Sequence, residues 1–127
     1  MLKNIYLFST IIWAVIISVF CLVQFNSVPL GTVSHLDKVV HAFFYFVLTF
    51  LLQLYLKEVK AHWSKKALKR YSFVSAILFG IVIELIQETC TATRHADVLD
   101  VLANTTGALL SIGVFSMYER IKLKHKY

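Results

Sequence analysis

The side chains able to do chemistry fall in three short clusters. Asp37, Lys38 and His41 form the first, Glu84, Gln87 and Glu88 the second, and Arg94, His95, Asp97, Asp100 and Asn104 the third. Five carboxylates stand here against Lys38 and Arg94, an excess of three negative charges with both imidazoles neutral. Such an excess calls for shared protons, a bound cation or a cationic group on a ligand. The oxygen and imidazole donors would suit a metal, yet neither an HExxH nor a CxxC spacing is present, so the sequence assigns no metal and no cofactor. Cys90 near His95 is a candidate nucleophile, as is a carboxylate activating water. Neither has a recognised arrangement of base and oxyanion donors, so no catalytic residue is assigned.

The spacings place each cluster on a helix face. Asp37 and His41 stand at i, i+4, and Ser34-His35-Leu36-Asp37 ahead of them resembles a capping box with Asp in place of Glu. Gly80, Glu84, Gln87 and Glu88 share a stripe, as do Asp97, Asp100, Asn104, Gly107 and Ser111.

The helices that must carry these faces are apolar. The chain has 127 residues, 58% of them hydrophobic and only 16% charged, with a mean hydropathy of +0.71. A soluble domain carries about a quarter charged residues, and a chain this short has too little polar surface to cover so much apolar side chain. Four runs, about 5–25, 36–56, 71–90 and 97–118, reach the roughly 20 residues a bilayer-spanning helix needs. The first resembles a signal peptide only superficially: it exceeds the usual apolar length and no small-residue cleavage site follows, so it is expected to be retained. The expected fold is therefore all-α, a single four-helix transmembrane bundle over residues 1–127, with a three-span protein and peripheral first run as the alternative. Two cysteines cannot make a disulfide framework, and Cys21 and Cys90 are read as unrelated. Residues 26–31 punctuate the first connection with a turn.

Of the thirteen Lys and Arg, all but Lys38 and Arg94 fall before the first run, between the second and third, or after the fourth. The positive-inside rule puts those segments, and both termini, in the cytoplasm. The basic connector is read as an ordinary flank, with an anionic-lipid clamp anchored by Trp63 and Tyr71 as the alternative. Because the basic residues sit in clumps between apolar runs rather than along a solvated face, no nucleic-acid partner is expected.

In this orientation His41, Glu84 and Asn104 lie roughly 7 to 11 Å below the outer interface, at about 1.5 Å per residue. Three helices thus bring polar groups to one depth, where each ionisable side chain is costly and usually functional. Pure interhelical glue explains Asn104 and Gly107 but not so many carboxylates, since an Asn or Gln would join helices at lower cost. Two functional classes stay open: a binding protein whose outer pocket engages an envelope lipid, a cell-wall precursor or a cationic amphiphile, and an enzyme or proton-coupled carrier using Glu84, Asp100 and His41. Oligomeric state is not legible.

In chain order the clusters resemble the VanZ-like family of small bacterial membrane proteins, named for a protein linked to teicoplanin resistance. Asp37-Lys38-x-x-His41 with Phe44 and Tyr45 is similar to the family's first motif, and Gly80-x-x-x-Glu84-x-x-Gln87 to its second. Arg94-x-x-Asp97-x-x-Asp100-x-x-x-Asn104-x-x-Gly107-Ala108 is similar to its third. This chain has Thr91-Ala92-Thr93 where the family often has Pro-Gly, and Ser111 where it often has a second Gly. The resemblance implies a bacterial plasma-membrane protein of the cell envelope, with a role in lowering susceptibility to teicoplanin-type glycopeptides. The candidate ligand-binding set is Asp37, Lys38, His41, Glu84, Gln87, Arg94, Asp97, Asp100 and Asn104, and the expected partners are membrane lipids with a lipid-linked cell-wall precursor or glycopeptide.

Overall fold

A computed structural model describes residues 1–23, 34–90 and 97–125, without the side chains of Ser34 and His35. Four helices account for nearly all of it: α1 (Leu2–Leu22), α2 (Ser34–Val59), α3 (Lys65–Cys90) and α4 (Val98–Lys124). Each is long and apolar enough to cross a membrane, so the chain is an all-α, multi-pass membrane protein. The turn at 26–31, the Ser34 end of the capping box, the 91–93 departure, Arg94 and His95 lie outside the described residues.

α2, α3 and α4 run past the ends of the apolar runs. They extend through Lys57, from Lys65 and up to Lys124, because Lys, Arg and Glu are good helix formers and snorkel from a helix end into water. The 26 residues of α3 span about 39 Å, more than the roughly 30 Å hydrocarbon core. The first helix is shorter than its apolar run: Val23 is already extended, with its N–H on the Val19 carbonyl. Helix starts carry local caps. Ser64 Oγ accepts from Ala67 N at 3.1 Å ahead of α3, and Asp97 accepts from Leu99 N at 2.8 Å ahead of α4.

The most extensive contact is between α2 and α4. They run parallel and meet through a stripe of small or polar residues on α4: Asn104, Gly107, Ala108 and Ser111, all buried. α1 packs on the outside, with 11% of its apolar window enclosed against 33% for α2 and α4. It is held by Ile17 and Cys21 in the apolar core with Phe44, Tyr45, Leu48, Ala76 and Ile83. Trp13 pins it further, donating from Nε1 to the Phe44 carbonyl at 3.0 Å while its ring meets Phe43 and Phe44 edge-on. Cys21 is buried, Cys90 exposed, and neither is in a disulfide. The exposed surface is dominated by large apolar side chains on all four helices, as a lipid-facing surface requires.

Candidate functional site

One end of the bundle is acidic and the other basic. At the acidic end α2 and α4 begin and α3 finishes, which brings the three sequence clusters together. Lys38 on α2 reaches across to α4, where its Nζ donates to Asp97 Oδ2 at 2.5 Å and to Asp100 Oδ1. One turn deeper, buried His41 meets buried Asn104: Nδ1 and Oδ1 are 3.1 Å apart. An amide oxygen only accepts, so Nδ1 carries the proton. Nε2 then faces Asp37 Oδ1 at 3.9 Å and Asp100 Oδ2 at 3.8 Å.

Glu84 approaches from α3. Its Oε2 accepts from the Asp97 backbone N–H at 3.4 Å, so α3 touches the cap of α4. Its Oε1 is buried without a partner. Tyr45 Oη and Asn104 Nδ2 are in the same condition, and all three border the turn of α3 from Gly80 to Glu84. A Cβ on Gly80 would lie 3.1 Å from the Tyr45 ring and 3.2 Å from Asn104 Nδ2, so glycine is what admits both side chains to this wall. Two donors and one carboxylate oxygen thus stand unpaired in a low-dielectric setting, where an unmade hydrogen bond costs about 1–3 kcal/mol.

Of the nine candidate residues, seven gather here: Asp37, Lys38, His41, Glu84, Asp97, Asp100 and Asn104. Arg94 lies outside the described residues. Gln87 turns toward α1, donating from Nε2 to the Cys21 carbonyl at 2.5 Å, and Glu88 is exposed. The gathered groups set four carboxylates against one ammonium. Lys38, together with the Leu99 amide, holds the Asp97 carboxyl below the usual carboxylate range. Ligand atoms of Asp37, His41 and Asp100 lie within 4.8 Å of one another, a spacing that a divalent ion would fit. The Lys38 ammonium already supplies a cation beside it.

Polar pairing continues along the α2–α4 seam well beyond the three sequence clusters. Buried Gln53 donates from Nε2 to Ser111 Oγ at 3.2 Å and to the Thr49 carbonyl at 3.3 Å. At the basic end Lys57 pairs with Glu119 at 3.0 Å. Tyr45, an aromatic of the first motif, has its ring almost wholly buried at the site wall. The spacing of four residues from Thr49 to Gln53 and from Gln53 to Lys57 along α2 is the signal in the sequence.

The family model VanZ/LLP1 matches residues 2–119, and so takes in α1, which carries none of the three motifs. Neither the curated proteins nor the solved structures give a match.

Proposed function

Since the chain belongs to the VanZ/LLP1 family, we propose that it is a binding protein of the bacterial plasma membrane, with both termini cytoplasmic and the acidic end in the outer leaflet. Its pocket takes the polar part of an envelope lipid or lipid-linked cell-wall precursor, and by doing so lowers susceptibility to teicoplanin-type glycopeptides. The observation that carries this reading is the convergence of unpartnered Glu84 Oε1, Asn104 Nδ2 and Tyr45 Oη on the Gly80 wall. Thr49 and Gln53 in mid-bundle also leave an oxygen unpaired, but at the Gly80 wall two donors and a carboxylate oxygen stand together, a set that one ligand hydroxyl would satisfy. Lys38 is already engaged by two carboxylates, so the net negative pocket suits hydroxyl and ammonium groups, and a phosphate would depend on Arg94.

The test is thermal unfolding of the full chain in nanodiscs, titrated with a lipid-linked sugar-peptide precursor and with phosphatidylcholine. Stabilisation by the precursor that is lost in the Tyr45→Phe, Asn104→Leu double variant supports the reading. No preference over bulk phospholipid returns the cluster to glue, and an unchanged teicoplanin dose on expression removes the protective role.

One observation favours a second reading, a proton-coupled carrier or membrane-embedded enzyme. His41 Nε2 stands between Asp37 and Asp100, with buried Glu84 nearby, which has the form of a proton relay. Glu84→Gln separates the two: the amide keeps the hydrogen-bonding shape needed for binding but abolishes proton transfer.

A further inference from the structure

The basic end holds a second cleft, independent of the acidic pocket. It has a volume of about 300 Å³ and is lined by Lys57, Lys65, Glu119, Lys122 and Leu123, which come from the end of α2, the start of α3 and the end of α4. We propose that this cleft binds the phosphodiester of an anionic phospholipid.

The charges within it are unequal. Lys57 is consumed internally: its Nζ pairs with Glu119 at 3.0 Å and lies over the Phe115 and Tyr118 rings. That pair locks α2 to α4 and removes the cleft's one carboxylate from play. Lys65 and Lys122 make no ion pair among the described residues, and Lys122 is steadied over Tyr118 at 5.9 Å. Two ammonium groups from different helices therefore face one cleft with no anion among the described residues left to pair with them. A phosphodiester supplies the missing negative charge and acceptor oxygens.

The level of the cleft selects the source of the phosphate. Trp63 and Tyr71 meet at a tilt beside the same helix ends, with ring centroids 4.5 Å apart. Lys60 lies over Trp63 and Arg70 over Tyr71. Such amphipathic rings mark the head-group layer, and basic pockets between helices on the cytoplasmic side take anionic head groups. Leu123, exposed on the face of α4 that carries Glu119 and Lys122, adds an apolar surface at the cleft for an acyl chain. A soluble phosphate would use the two lysines and gain nothing from that surface.

The experiment measures retention by native mass spectrometry and thermal stabilisation of the full chain with phosphatidylglycerol, with phosphatidylcholine and with inorganic phosphate. Phosphatidylglycerol should stabilise and be retained, and the other two should not. Replacing Lys65 and Lys122 by Gln should weaken phosphatidylglycerol binding about thirtyfold, roughly fivefold per lysine, with stability in phosphatidylcholine unchanged. Lys66→Gln, on an exposed residue outside the cleft, should leave binding within about twofold. Equal weakening by Lys66→Gln means a diffuse basic flank and overturns the cleft. Equal stabilisation by inorganic phosphate overturns the lipid source, and equal retention of phosphatidylcholine overturns the charge argument. Should the double variant fail to fold, Lys122→Gln against Lys122→Arg decides the same question, with loss in the first and rescue in the second expected.

Discussion

The backbone of Gly107 lies against the carbonyl of Ala42: a Cβ on Gly107 would fall 1.9 Å from that oxygen. Backbone cannot yield as a flexible side chain does, so any larger residue must push α4 away from α2, the helices whose contact aligns Lys38 with Asp100 and His41 with Asn104. Gly107→Ala should destabilise the bundle by about 1–3 kcal/mol or more, and Gly107→Leu should lower folded yield. Gly113, whose Cβ would meet nothing within 4 Å, provides the control. Gly113→Ala should be neutral or stabilising by up to about 1 kcal/mol through helix propensity. Thermal melts in detergent read both, and equal effects at the two sites would sink the close-approach argument.

Lys38 is the single ammonium among the gathered acids, and Asp100 beside it keeps only 11% of its side chain exposed. Lys38→Met should therefore cost about 3 kcal/mol, the low end for stranding a buried charge because both partners retain some solvent. Adding Asp100→Asn should recover most of that loss. A double-mutant cycle by denaturant unfolding checks it, and a neutral Lys38→Met would mean that the acids neutralise one another by other means.

The faces were legible because helical spacing is local information. Asp97, Asp100, Asn104, Gly107 and Ser111 recur at three and four residues, and the structure presents them on one side of α4. Which neighbour a face meets is not local. Glu84 and Gln87 are three residues apart and so only about 60° apart around the helix axis, yet that is enough for Glu84 to reach α4 while Gln87 reaches Cys21 on α1. Lys57 and Glu119 escaped notice for another reason: apolarity alone ends the second and fourth runs at 56 and 118, one residue short of each. The helical hydrogen bonding continues beyond that point, carrying both into the α2–α4 seam.

In mid-bundle, Gln53 makes two long hydrogen bonds and leaves Oε1 buried without a partner. Interhelical hydrogen bonds in membranes average only about 0.6 kcal/mol, and an unpaired buried oxygen costs more than that. Gln53→Leu should thus be neutral or stabilising, while Ser111→Ala should cost under about 1 kcal/mol. Melting curves of the two variants test this; a large loss for Gln53→Leu would show that the amide does more than join helices.

The acid end should also respond to pH through Asp97, which lies just ahead of α4 where water reaches it. Lys38 and the Leu99 amide hold its carboxyl below the ordinary range in the folded chain, against about 3.9 when unfolded. A lowered folded value means the unfolded state binds the proton more readily. The stabilisation is then fully present above about pH 5 and is lost as pH falls through the folded value. The difference in melting temperature between wild type and Asp97→Asn should accordingly stay constant from neutral pH to about 5 and shrink below about 4. In a Lys38→Met background the same difference should be smaller at neutral pH, because the ammonium that lowers the carboxyl is gone. A difference unchanged by acid, or by the loss of Lys38, would leave only the cap to Leu99 as the role of Asp97.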